Sequence, residues 1–262
     1  MTVFKEELRS NKLSLIIWSL TIAFLMAITI LLYPEMKSEM EEMNDMFADM
    51  GMFPAAFGMD KLNFGTLLGY YAIESGNMMA MGGGLFAAII GINALMKEEK
   101  DRTAEYLLTQ PISRSRVVSE KLLSIIFLLI IFNVIVIGIT LVSFLIIKEE
   151  VPWQEFILLH TSYFLLQMGI ASICFGISAF LSKGGLGIGI GITAIFYFIN
   201  LISNITEMAE KLKYITPYSF AEGASIINDL SLQYKYLIPG MIMMIIGIIV
   251  AYVVYPRKDI KI

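Results

Sequence analysis

Long apolar runs broken by short polar segments set the pattern of this chain. The runs are Leu13–Tyr33, Met78–Met96, Leu122–Ile147, Phe156–Leu181, Gly184–Ser203 and Leu237–Tyr255. Each comes close to or exceeds the roughly 20 residues that an α-helix needs to cross a bilayer core. The pattern predicts an all-α, polytopic membrane protein with six transmembrane helices, folded as one bundle over residues 1–262. The Tyr33-Pro34 pair is expected to end span 1. Residues 64–77 are less apolar and contain Glu74, so they form either the outer part of span 2 or a short separate helix. Span 3 is long and should tilt or project from the bilayer.

The polar segments add detail. In residues 1–12, Val3, Phe4 and Leu8 share one helical face, with Lys5, Glu6, Arg9 and Lys12 outside it. That arrangement predicts an amphipathic interfacial helix ahead of span 1. Residues 35–61 are acidic, and methionines recur at three- to four-residue spacing from Met36 to Met50. This predicts a helix with a soft apolar stripe. Such a stripe could hold Cu(I), but no histidine or cysteine lies nearby to complete the site. Packing against a membrane surface or partner helix is the reading adopted, with no metal site.

Composition agrees with the pattern. Apolar residues make up 57% of the chain and charged residues 16%, well under the quarter usual in soluble domains; mean hydropathy is +0.75. The single cysteine, Cys174, excludes an intrachain disulfide. The first apolar run lacks an A-x-A-like cleavage site and is read as a retained span. With six spans, both termini share a side. That side carries thirteen of the 19 Lys and Arg residues and the other side six. The positive-inside rule makes the first side cytoplasmic. Residues 97–121 then face the cytoplasm, while 34–77 and 204–236 face outward. A multi-pass protein of the cytoplasmic membrane is expected.

Few residues suggest chemistry within the spans. His160 is the lone histidine, placed about one turn inside span 4 and read as interfacial. The glycines Gly185, Gly187, Gly189 and Gly191 follow no predicted strand and precede no Lys-Ser/Thr, so a phosphate loop is rejected. Their spacing gives two small-xxx-small pairs, which suit close helix packing. No Walker A sequence is present, so ATP is not hydrolysed by that route. No catalytic residue is assigned.

The strongest functional signal is the charged stretch Lys97–Lys121, KEEKDRTAEYLLTQPISRSRVVSEK. Thr103, Ala104, Leu107 and Leu108 can form an apolar patch on a short helix, ringed by Glu98, Glu99, Asp101, Arg102 and Glu105. Pro111 ends that helix and Ser113 can cap the next. The expected result is a helical elbow with an apolar centre and a charged rim, suited to a docked soluble protein.

Residues 99–114, EKDRTAEYLLTQPISR, resemble the E-K-x-G-T-x-E-x-L-L-x-x-P-[IV]-S-R signature of ABC-2-type transporter permeases. The matches are Glu99, Lys100, Thr103, Glu105, Leu107, Leu108, Pro111, Ser113 and Arg114. The family's usual glycine is replaced by Arg102, which bears on the local backbone path. The six-span layout extends the resemblance over the whole chain. It implies a cytoplasmic coupling helix between spans 2 and 3 that contacts a separate ATPase. The residues carrying that role are Glu98, Glu99, Arg102, Thr103, Glu105, Tyr106, Leu107, Leu108, Pro111, Ser113 and Arg114.

The resemblance further implies two ABC ATPase subunits and a second permease copy, in a homodimer or heterodimer within the lipid bilayer. ATP and Mg would sit on the ATPase, with no cofactor bound by this chain and no nucleic acid partner. The expected function is export of a drug, antimicrobial peptide or other amphipathic cargo. An ATP-independent carrier and a permease-like immunity or sensory subunit that moves no cargo stay open as alternatives. An intramembrane metalloprotease would need a second histidine beside His160.

Overall fold

Six apolar helices dominate the computed structural model, which describes residues 2–104 and 111–259. Among the described residues there is no β-strand. The first helix, α1 (Thr2–Asp49), runs unbroken for 48 residues. At 1.5 Å per residue it is about 72 Å long, against a hydrocarbon core of about 30 Å. Residues 2–12 form the first turns of α1, continuous with span 1.

The helix also passes through Pro34, where the sequence predicts a stop. Proline removes one helical hydrogen bond and crowds the preceding turn, so packing has to hold the helix together there. Tyr33 supplies it. Its hydroxyl donates to the Gly65 carbonyl at 2.6 Å and its ring lies 5.6 Å from that of Tyr70. Met40, Phe64 and Ile73 complete this small buried cluster.

A short helix, α2 (Met52–Ala56), precedes span 2. Span 2 comes in three pieces: α3 (Leu67–Met78), a π turn (Met79–Gly83) and α4 (Gly84–Ala94). Residues 67–77 are thus the outer part of this span. The π turn falls where the glycines remove side-chain obstruction. A Cβ on Gly83 would lie 2.5 Å from Gln167 Nε2. After α5 (Lys97–Lys100) comes α6 (Arg114–Ile147), which contains span 3. Spans 4 and 5 are α7 (Trp153–Ser178) and α8 (Gly185–Ile205). Two 3-10 segments follow, Glu207–Ile215 and Pro217–Ala221, then α9 (Gly223–Asp229). Span 6 is α10 (Tyr234–Val254), closed by a 3-10 turn at Tyr255–Arg257.

Helix α7 is central, packed between α4 and α10, while α1 lies along α6. Spans 2 and 4 bury 61% of their most apolar stretch within the chain, and spans 5 and 6 only 17%. The α7–α10 contact is backbone against backbone, since a Cβ on Gly176 would lie 2.5 Å from the Gly247 carbonyl oxygen. Gly185 and Gly189 face α4, where an added Cβ would meet Met96 Sδ at 2.7 Å and Ile92 at 2.9 Å. Gly187 and Gly191 face away, and a Cβ there would meet nothing within 4 Å. They take no part in packing within this chain.

Polar residues inside the bundle pair with one another. His160 is buried in the bundle, with Nε2 2.7 Å from the Tyr71 hydroxyl. Asn133 Nδ2 donates to Gln167 Oε1 at 2.6 Å. At the end away from the termini, residues 217–221 dip into the bundle. A Cβ on Gly84 would come within 2.5 Å of Tyr218 Oη. Beside them the buried Glu222 holds Lys61 at 2.7 Å and Lys213 at 3.5 Å.

Candidate coupling site at the end carrying both termini

The charged stretch between spans 2 and 3 starts as a single turn, α5. Its first carboxylates do not reach into solvent. Glu98 Oε1 accepts from Lys121 Nζ at 2.5 Å. Lys121 belongs to the second turn of α6 and has no solvent exposure. Its ammonium also donates to Glu7 Oε1 of α1 at 2.8 Å and to the Ala94 carbonyl at the end of α4 at 2.5 Å. Three donors meet three acceptors, the arrangement a buried ammonium requires. One side chain thereby ties spans 1, 2 and 3 to the start of the elbow.

Glu99 turns toward different partners. It pairs with Lys258, which follows span 6. Lys258 Nζ also donates to the Leu181 carbonyl in the break between spans 4 and 5 at 2.6 Å. Arg114 reaches the same C-terminal segment, donating to the Pro256 and Lys258 carbonyls at 3.2 and 2.6 Å. Two adjacent residues of α5 are thus anchored to two groups of spans. Around this core, Lys97 donates to Ser10 at 2.6 Å. Arg116 pairs with Glu120 at 3.1 Å, and Glu120 accepts from the Phe4 backbone at 3.2 Å.

The chain leaves α5 through a left-handed residue, Arg102, with φ of 55°. Thr103 N donates to the Glu98 carbonyl at 2.8 Å and Arg102 N to the Glu99 carbonyl at 3.4 Å. These paired bonds make a Schellman cap, whose left-handed position is usually glycine. That is where the resembled signature carries its glycine, so the arginine keeps the backbone path that glycine would take freely. Downstream, Ser113 caps α6, accepting from Arg116 N at 3.3 Å.

Of the residues assigned to coupling, the structure places Glu98 and Glu99 inward, in ion pairs within the chain. Arg102, Thr103, Pro111 and Ser113 are exposed, and Arg114 is half-buried on the C-terminal segment. Glu105, Tyr106, Leu107 and Leu108 lie outside the described residues. Sequence reasoning missed Glu7, Lys121 and Lys258 as members of the site. The available signal was a lysine two turns inside the helix of span 3 and an acidic residue, Glu7, one helical turn after Val3 and next to Leu8 in the amphipathic N-terminal turns.

A family model, ABC-2 family transporter protein, matches residues 1–260. The chain belongs to the ABC-2 transporter family. It is a multi-pass permease subunit of an ABC transporter, working with an ATPase partner. A search of curated proteins gives no match for this ABC-2 permease. Among the described residues, no group of His, Cys, Asp and Glu side chains could hold a metal ion.

Proposed function

We propose that this permease exports a drug, an antimicrobial peptide or another amphipathic cargo, using ATP hydrolysed by an ATPase docked on residues 97–121. Both termini and the elbow face the cytoplasm, as the distribution of basic residues favours. Two permease copies, identical or not, and two ATPases complete the transporter in the cytoplasmic membrane. ATP and Mg2+ belong to the ATPase.

The observation that carries this reading is the anchoring of Glu98 by the buried Lys121 and of Glu99 by Lys258. A solvated linker would not be fastened to spans 1, 2 and 3 and to the span 4–5 break. A part that receives force from a docked protein must be. The exposed Lys100, Asp101, Arg102, Thr103 and Ser113 leave a polar rim, and the sequence between them carries Leu107 and Leu108, apolar residues of the kind a docking surface needs.

The test uses the permease expressed with its ATPase. Leu108→Asp and Glu105→Lys should insert normally in the membrane and lose most copurifying ATPase. Full recovery of the ATPase with both variants would count against docking here. Sidedness is checked in intact cells with a membrane-impermeant maleimide. Asp229→Cys should react and Ser113→Cys should not; the reverse result would invert the topology. The native Cys174 is buried and stays silent. Cargo-stimulated ATP turnover separates an exporter from a sensory or immunity subunit.

A further inference from the structure

Residues 255–259 look like a plain end to span 6, yet they fill the space between the elbow and the rest of the bundle. Tyr255 is buried. Lys258 keeps only 11% of its side chain exposed and Glu99 only 4%. The Lys258 ammonium meets the Glu99 carboxylate on one side and the Leu181 carbonyl on the other. Arg114, at the start of α6, holds the main chain of the same segment through two carbonyls.

The topology of these contacts is specific. Lys121 joins the elbow to spans 1, 2 and 3, which are already its covalent neighbours or pack on them. Spans 4 and 5 reach it by packing on α4, and span 6 packs chiefly on α7. Among the polar contacts described at this end of the molecule, those through Lys258 and Arg114 reach from the elbow itself, while the Ser119 and Tyr252 hydroxyls, 2.7 Å apart, join span 3 to span 6. The Glu99 side chain is 4% exposed and the Lys258 side chain 11%, so the arrangement is not a casual surface pair.

We infer that Lys258 is a positioning residue for transport, passing displacement of the elbow at Glu99 to the span 4–5 break at Leu181 and to span 6. This rests on the reading of residues 97–121 as the ATPase-docking elbow. Without the bridge the ATPase still docks, through residues 100–114, and spans 1 to 3 still respond. Spans 5 and 6 then fall out of step.

The assembled transporter in lipid nanodiscs, with Cys174→Ala, provides the test. Spin-label pairs at exposed positions report the two groups of spans by pulsed dipolar spectroscopy. Asp60 with Glu149 follows the ends of spans 1 to 4, and Glu149 with Asp229 follows spans 5 and 6 against them. Distances are measured without nucleotide and with ATP trapped by vanadate.

In the otherwise unsubstituted transporter both pairs should shift. Lys258→Met should keep the ATPase bound and the Asp60–Glu149 shift intact, while reducing the Glu149–Asp229 shift at least twofold. Lys258→Arg, which retains a cation and a donor, should restore more than half of it. Glu99→Gln should reproduce the Lys258→Met result. An undiminished Glu149–Asp229 shift in Lys258→Met would overturn the inference while leaving the docking reading standing. Equal loss of both shifts, or loss of the ATPase, would also overturn it, since Lys258 would then serve the fold or docking. Absence of the Glu149–Asp229 shift in the unsubstituted transporter would overturn this inference, and absence of the Asp60–Glu149 shift as well would overturn the reading of residues 97–121 as the elbow that moves.

Discussion

A lysine ammonium removed from water is a cost that only close partners offset. Lys121 has Glu7, Glu98 and the Ala94 carbonyl within 2.8 Å. Lys121→Met leaves two inward carboxylates facing each other and should destabilise the permease by about 3–5 kcal/mol. Thermal unfolding in detergent reads this as a lowered Tm. Adding Glu7→Gln and Glu98→Gln to Lys121→Met should recover much of the loss, because the charges then vanish together. Arg102 offers an opposite case. A left-handed residue with a side chain costs about 1–2 kcal/mol, and glycine returns roughly half of that gain as backbone entropy. Arg102→Gly should therefore stabilise by about 0.5–1 kcal/mol, whereas Arg102→Val should destabilise, its branched side chain fitting that backbone poorly. Single-residue legibility was uneven here. Glu98, Glu99 and Arg114 stand out in the chain as charges between apolar runs. Their partners do not, because Glu7 and Lys121 lie 114 residues apart and nothing local marks them as a pair.

Elements were legible where hydropathy alone decides. All six spans follow from apolar runs, since the cost of unpaired backbone groups in lipid leaves helices as the solution. The misjudged boundaries are those that tertiary contacts set. Pro34 should break α1 by its own chemistry, and the Tyr33, Phe64 and Tyr70 cluster overrides it. Span 2 begins eleven residues before its apolar run, at Leu67, because Tyr71, Ser75 and Asn77 find polar partners inside the bundle. Glycine spacing likewise misses which face meets a neighbour. Gly176→Ala should cost about 1–3 kcal/mol by forcing α7 off the Gly247 backbone. Gly187→Leu, on the open face of α8, should change stability by less than about 0.5 kcal/mol. Comparing the two melting curves in one detergent checks the contrast.

For the molecule as a whole, the two ends are fastened by different ion clusters with different exposure to pH. Away from the termini, Glu222 sits between Lys61 and Lys213. Burial pushes its carboxyl up. The two ammonium groups, with hydrogen bonds from Lys61 and Ser225, outweigh that and hold it below the usual range. A lowered folded-state pKa gives stability that is fully present above the unfolded value of 4.5 and lost as pH falls through the folded value. The Tm difference between the unsubstituted protein and Glu222→Gln should be constant from about pH 6 to 8. It should shrink steadily below about pH 4.5. A difference that grew on acidification would reverse the assignment of the ion cluster. The peripheral spans α8 and α10 leave most of their apolar surface uncovered by this chain, and lipid or a second copy must complete it.

Helix α1 places Glu7 near one extremity and Tyr33 and Met40 toward the other, with no interruption between them. A rod of that kind does not absorb motion along its length. If the Lys121 anchorage slides by an ångström, the tyrosine hydroxyl must travel with it or surrender its grip on Gly65. Events at the end that carries both termini thereby acquire a mechanical witness at the opposite end, and residues 57–66 are where it would be heard first.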